Sequence, residues 1–199
     1  MTDPARIAAP QAEGPALGPD DLAALIARPG FDDAMMRFAE RVVAEYRASW
    51  VMNRLFSDRG RLMAFFMALD LYFADSSRRG FTLEELRREA ARYGFASPGR
   101  ITAWAASLRL VGLFAAVGAG RPQRLAPTER FIGIFRTRMR NLWQSIAPIH
   151  PPAKQAMDLL EREDFVAQLP AGFMQPYRAG QRLFGGVPEL ADVGDREAG

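Results

Sequence analysis

Apolar side chains recur along most of this chain at helical rather than strand spacing. Met35, Ala39, Val42, Tyr46, Trp50 and the Asn53-Arg54-Leu55 group step by four and three residues, which predicts one long amphipathic helix from Asp32 to Phe56. A shorter helix is expected before it, from Asp20 to about Ala27, stopped by Pro29-Gly30. Arg59-Gly60 punctuates the chain, and a third helix is expected from Arg61 to about Ser76. Its Leu62, Phe65, Phe66, Leu69, Tyr72 and Phe73 leave few polar positions, so it belongs at the centre of the core. Further on, Phe131, Phe135, Met139, Leu142, Trp143 and Ile146 form a wide aromatic stripe on a helix opened by Pro127-Thr128-Glu129. Pro148, Pro151 and Pro152 break that helix, and a last one is expected from about Ala153 to Gln168.

Between these helices the chain carries sharp start and stop signals. Thr82-Leu83-Glu84-Glu85 reads as a capping box, in which the threonine hydroxyl and the Glu85 carboxylate satisfy each other's orphan backbone N–H groups. Leu83, Leu86, Ala90 and Tyr93 face one way, with Glu84/Arg88 and Glu89/Arg92 expected to pair outside. Gly94 suits a left-handed helix end. Ser97 is then a good N-cap, Pro98 suits the first helical position, and the new helix buries Ile101, Trp104 or Ala105, and Leu108 before ending near Gly112. Leu113 to Val117 reads as a short strand, 118–123 as a Gly/Pro turn, and Arg124-Leu125-Ala126 as the returning strand. Residues 101–120 hold a single charge, Arg109, and on hydropathy alone resemble a membrane span. Gly112, Gly118, Gly120 and the turn signals fit a helix followed by a hairpin better, so no membrane span is expected.

The ends differ in composition. The first 19 residues include six Gly or Pro and read as a disordered arm; the stretch from Pro170 holds nine Gly or Pro in 30 residues and is expected to be mostly irregular. The expected division is therefore 1–19 as the arm, 20–59 as N-terminal support helices, 60–128 as the central domain, 129–168 as C-terminal helices and 169–199 as a Gly/Pro-rich tail. Charge is uneven as well. Residues 1–59 carry seven basic and nine acidic side chains, 60–147 carry 14 and six, and 148–199 carry five and eight, so the net +3 of the chain conceals +8 in its middle. Such a patch is the usual electrostatic footprint of a nucleic-acid binder. Of the 26 basic residues only Lys154 is a lysine, and arginine's planar fork suits phosphate and guanine. No charged segment followed by an apolar run opens the sequence, so a cytoplasmic location is expected.

Candidate catalytic chemistry is sparse. Zero cysteines exclude thiol catalysis and cysteine-ligated metals, and a single histidine, His150, excludes multi-histidine sites. His150 lies in Ile149-His150-Pro151-Pro152, which reads as a rigid surface turn rather than a general base. Asp20-Asp21, Asp32-Asp33 and Glu84-Glu85 are sequence neighbours that diverge by about 100° on a helix, so first-turn dipole compensation explains them better than acid/base work. Gly118-Ala119-Gly120 is too short for a phosphate loop. The expectation is a non-enzyme without cofactor or metal.

The order of elements is more telling: helix, capped helix, tight turn, capped helix, two strands joined by a Gly/Arg tip, then helix. That order predicts a mainly α winged helix-turn-helix with a small β-hairpin wing and extra N- and C-terminal helices. The chain here resembles bacterial winged-helix regulators of the MarR type over about residues 60–146. Thr82-Leu83-Glu84-Glu85-Leu86 resembles that family's entry helix, and Ser97-Pro98-Gly99-Arg100-Ile101-Thr102 the start of its recognition helix. Leu110-Val111-Gly112-Leu113-Phe114 is similar to the exit into its wing, and Leu125-Ala126-Pro127-Thr128-Glu129 to the entry into its next helix. It departs from the family at Ala103, where a base-reading arginine is common, at Ala115-Ala116, and in the Gly120-Arg121-Pro122-Gln123-Arg124 wing.

The expected function is that of a regulator binding double-stranded DNA. Arg100 would fork onto guanine, Thr102 would bond a base edge or phosphate, and Ala103 would meet a thymine methyl. Gly99 faces outward with them, helix N-termini around Ser97 and Thr82 would offer backbone donors to phosphate, and Arg121 and Arg124 on the wing tip would reach the minor groove or backbone. The resemblance further implies a homodimer formed through the terminal helices. Met35/Met36, Phe65/Phe66/Met67 and Trp143 are either plain core or the lining of a small-molecule effector pocket. The alternative is a winged-helix module whose basic face meets an acidic protein and binds no specific DNA.

Overall fold

A computed structural model describes residues 26–180 together with Ala23 and Ala24. It is mainly helical with a small antiparallel sheet. The arm at 1–19 and the tail from 181 onward lie outside the described residues, as does most of the expected Asp20–Ala27 helix, of which Ala23, Ala24 and Ile26 are helical.

Helix α1 spans Phe31–Ala48 and α2 spans Trp50–Phe56. The single helix expected over this stretch is thus two, because Ser49 adopts an extended conformation (φ −149°, ψ 115°) and its hydroxyl caps α2 by accepting from the Met52 N–H at 3.3 Å. A serine hydroxyl that competes for backbone donors favours such a restart over an unbroken helix. The break also turns Trp50 outward, 79% exposed, and Ala39 is exposed rather than on the inner stripe.

Helix α3, Arg59–Ala74, is capped by Asp58, whose carboxylate accepts from the Arg61 N–H at 2.9 Å. Every residue from Met63 to Asp70 is buried, which fits its all-round apolar sequence. Strand β1 (Phe81–Thr82) follows, then α4 (Leu83–Arg92), α5 (Pro98–Leu110), β2 (Phe114–Val117), β3 (Arg124–Pro127) and α6 (Glu129–Ile146). The sheet order is β1-β3-β2, with Phe81 opposite Leu125, and Phe114 opposite Pro127. The hairpin is where the sequence puts it; the two-residue β1 is an addition. The capping box at Thr82 and the Ser97 cap with Pro98 behind it are both present, and Gly94 ends the α4 turn at φ 67°. On α4 it is Arg87, not Arg88, that lies 3.3 Å from Glu84, while Glu89 faces Arg92 at 4.0 Å.

The chain after α6 departs most from expectation. Helix α7 (Pro152–Asp158) passes through a 3-10 turn at Leu159–Glu161 into α8, Glu163–Arg178. Ten residues of the expected tail, 169–178, are therefore helical, with Pro170 and Pro176 inside the helix. An interior proline removes a backbone hydrogen bond and typically costs about 3 kcal/mol. Packing offsets it here: Val166, Pro170, Met174 and Tyr177 bury one face of α8 against α3, and Phe173 stacks on Phe66 at 4.5 Å. One hydrophobic core runs from Leu55 to Tyr177, so the central segment and the C-terminal helices share it.

Arg178 of α8 pairs with Asp70 of α3, which is 5% exposed. Burial pushes the Asp70 carboxyl above its ordinary value, against the opposing pull of the Arg178 charge and hydrogen bond. A carboxyl whose folded pKa exceeds its unfolded one favours the fold most below the unfolded value, and that contribution is lost as pH rises to the folded value. Asp70→Asn should therefore gain stability relative to the parent as pH climbs from below 3.8 and then level off. Urea unfolding of both proteins across acid to neutral pH checks this, and a difference that falls with rising pH contradicts it.

Candidate nucleic-acid interface

Helix α5 is anchored from one side. Ile101, Trp104, Ala105 and Leu108 are buried, and the Trp104 indole N–H donates to the Leu55 carbonyl at 2.9 Å. At 100° per residue the opposite face carries Gly99, Ala103, Ala106 and Leu110, all exposed, with Leu110 at 89%. Thr102 and Arg109 flank that face on one side, Arg100 and Ser107 on the other. The helix thus presents a small, uncharged crest with cations only at its margins.

The anticipated contact residues have distinct surroundings. Ser97 and Gly99 are exposed at the start of α5; the Ser97 hydroxyl accepts from the Arg100 N–H at 3.4 Å. No acidic residue occupies the first turn of α5, so its positive dipole end is not countered from within the helix. Arg100 Nη2 lies 3.4 Å from Asp58 Oδ2, which draws the side chain toward the start of α3 and away from the crest. The Thr102 hydroxyl donates to the Pro98 carbonyl at 2.9 Å and its residue is exposed, as is Ala103.

Thr82 is buried and fully engaged. Its N–H donates to Glu85 Oε2 at 2.6 Å, its hydroxyl donates to the same oxygen at 3.0 Å, and the Glu85 N–H donates to that hydroxyl at 3.1 Å. The Thr82 N–H holds the Glu85 carboxyl below its ordinary value, aided by the hydroxyl and by the charges of Arg124 and Arg88, against desolvation. With two acidic residues, Glu84 and Glu85, in its first turn, the α4 N-terminus disfavours a phosphate. The expectation that Thr82 offers a phosphate donor is corrected on that ground.

Arg124 is a second correction. It sits in β3 opposite Thr82 and Val117, and its Nε donates to the Gly80 carbonyl at 3.0 Å and to the Arg79 carbonyl at 3.2 Å. Its guanidinium braces the entry to β1 instead of reaching from the hairpin tip. Arg121 does lie in the exposed turn. The structure therefore groups Ser97, Gly99, Arg100, Thr102 and Ala103 on α5 and pairs Thr82 with Arg124 across the sheet.

Arg109, exposed near the end of α5, is not among the expected contacts, although its position one residue, or 100°, beyond the inward-facing Leu108 already puts it off the inner face. Neither Arg109 nor Arg121 has an ion pair among the described residues. Residues 78–130 hold ten arginines against four glutamates, so the surface around α4, α5 and the hairpin is cationic overall.

Other site chemistry is thin. His150 is exposed, no group of three or more metal-ligating side chains occurs among the described residues, and no described helix is long and apolar enough to cross a membrane. Of the anticipated effector cluster, Phe65 and Met67 are core, Met36 is 62% exposed and Trp143 packs on Phe165; Phe66 alone lines a cavity, one of about 270 Å3 between α1, α3, α6 and α8. No family model, curated protein or solved structure matches this chain.

Proposed function

We propose that the segment from α3 to β3 is a winged helix-turn-helix that binds duplex DNA, as the MarR-type resemblance implies. The observation that carries the reading is the order α3-β1-α4-α5-β2-β3 on a β1-β3-β2 sheet, with α5 clamped on one side and uncovered on the other. In this reading α5 enters the major groove and the hairpin flanks it. Its contacts are mainly to phosphate. Arg109 and Arg121 supply charge, the α5 N-terminus supplies backbone donors at Gly99, and Arg124 and Thr82 serve as braces. Ala103 and Ala106 offer apolar contact to thymine methyls, and Arg100 joins only by leaving Asp58. A homodimer is part of the proposal: Met36 and Val43 are large apolar side chains left exposed on one face of α1, among the exposed Glu40 and Arg47, and Trp50 stands nearby in sequence at 79% exposure.

Anisotropy of a labelled random-sequence duplex, titrated between about 50 and 200 mM salt, tests this reading. Affinity should fall with a log–log slope of about −0.9 per phosphate contact, and Arg109→Gln with Arg121→Gln should make that slope shallower by about 2. Saturation should come at two chains per site, and one chain per site removes the dimer from the proposal. Absence of binding at the lowest salt rejects DNA binding altogether. The neutral crest with Leu110 at 89% exposure supports a second reading, in which α5 docks a protein and binds no specific DNA. Sequencing of genomic fragments retained by the protein separates the two, since enrichment of particular sites is expected only of the first.

A further inference from the structure

The geometry points to a binding site for a phosphate monoester in the cavity that Arg54, Arg61 and Arg100 line between α2, α3 and α5. The cavity holds about 220 Å3, and each of the three arginines reaches its wall from a different helix. Arg61 Nε lies 2.9 Å and Arg100 Nη2 3.4 Å from the same oxygen, Asp58 Oδ2, so the two guanidinium groups converge on one point. Arg61 Nη1 also donates to the Arg54 carbonyl, which ties the start of α3 to the end of α2. The side chains of Arg61 and Arg100 are 32% and 38% exposed, so an ion from solvent has access to both.

Negative charge is scarce around them. Asp58 Oδ2 is shared between Arg61 and Arg100, while Oδ1 accepts from the Arg61 N–H at 2.9 Å as the cap of α3. Arg54 is exposed and makes no ion pair among the described residues. The helix ends add to the imbalance. Neither α3 nor α5 has an acidic residue in its first turn; α3 carries Arg59 and Arg61 there, and α5 carries Arg100. A cation at the positive end of a helix dipole is unfavourable, and an anion placed before two such ends relieves both. Asp58 supplies that relief only in part.

Size and charge narrow the anion. The volume lies below the range of about 300–1,000 Å3 usual for drug-sized ligands, so the occupant is small. A phosphate monoester presents three terminal oxygens and close to two negative charges near neutral pH, and arginine forks match such oxygens in pairs. A diester keeps two free oxygens and one charge, and a carboxylate offers no more, so both engage fewer of the three arginines. The rest of the wall includes Leu55, Ala96, Ile101 and Trp104, whose apolar surfaces receive the carbon part of the ester. Asp58 is then the competitor that the phosphate displaces from Arg61 and Arg100. This inference does not depend on DNA binding.

Phenyl phosphate, methyl phenyl phosphate and benzoate share a ring and differ in charge and in the oxygens they offer. Binding is read at about pH 7.5 by calorimetry and by 15N amide shifts of Ala103 and Ser107, which line the cavity. Phenyl phosphate should bind, with the other two each about tenfold weaker or worse. Arg54→Gln and Arg61→Gln should each weaken phenyl phosphate about tenfold, and Arg47→Gln, on α1 and outside the cavity, should leave it unchanged. Asp58→Asn, whose amide oxygen can keep the α3 cap, should tighten it because the competing charge is gone. Methyl phenyl phosphate or benzoate matching phenyl phosphate would overturn the choice of a monoester. An equal loss in Arg47→Gln, or weaker binding in Asp58→Asn, would remove the three arginines from recognition, and no amide shift at millimolar phenyl phosphate would reject the site. DNA is absent from this measurement, so none of these outcomes touches the DNA reading.

Discussion

Phe65→Ala should cost about 3–5 kcal/mol of folding stability. The ring is wholly buried and lies 4.7 Å from Phe131, 5.2 Å from Phe56, 5.5 Å from Phe66 and 6.1 Å from Phe135. It also backs the Arg138 guanidinium at 5.6 Å. Alanine removes the ring's transfer free energy and leaves a void that four neighbouring aromatics, each held by other contacts, cannot close. For a chain of this size the loss corresponds to a fall in Tm of roughly 6–20 °C. Phe165→Ala provides the contrast, because Phe165 is only half-buried and its ring contact is with Trp143, so its cost should be well under half as large. Thermal and urea unfolding of both variants read the difference. Equal losses would mean that the aromatic cluster around α3 is not the centre of the core.

The legible parts of this fold are those set by local backbone chemistry. The caps at Thr82, Ser97 and Thr128 depend on a hydroxyl meeting an N–H three residues ahead, and the left-handed turn at Gly94 depends on one residue's missing Cβ. Such interactions are closed within a few residues and so can be read from the sequence. The misses are tertiary. Pro170 and Pro176 argue against a helix on local grounds, and only the burial of Val166, Pro170, Met174 and Tyr177 against α3 overrides them. Ser49 is an ordinary residue in a helical stripe until its hydroxyl caps a second helix.

The candidate site divides in the same way. That Ser97, Gly99, Thr102, Ala103 and Arg121 are exposed follows from helical phase and turn composition. The inward attachments of Arg124 to Gly80 and of Arg100 to Asp58 join residues 44 and 42 positions apart, and no periodicity encodes them. Arg138 had a signal that went unused. Phe131, Phe135, Arg138 and Leu142 follow steps of four, three and four, so a permanent cation sits on the apolar stripe of α6. A buried arginine needs a counter-charge, and that requirement leads to Glu45 on α1, 2.7 Å from its Nε.

Gly80→Ala should destabilise the protein by more than about 2 kcal/mol, because two separate constraints act at that residue. Its φ is +80°, a region in which an L side chain is strained by about 1–2 kcal/mol. A Cβ there would also lie 2.3 Å from the Leu125 carbonyl oxygen and 2.9 Å from its carbon, both backbone atoms of β3 that cannot swing aside. Relief requires β1 to move off β3, and that separates Phe81 from Leu125, Thr82 from Arg124, and the Arg124 guanidinium from the Gly80 carbonyl. Since Thr82 also caps α4, the disturbance reaches the helix that precedes α5. Gly99→Ala is the natural comparison: nothing lies within 4 Å of its added Cβ and the residue is helical, so it should gain up to about 1 kcal/mol. Urea midpoints of the two variants should therefore move in opposite directions from the parent. A Gly80→Ala protein as stable as the parent would mean that β1 is not clamped against Leu125, and that Arg124 has no strand to brace.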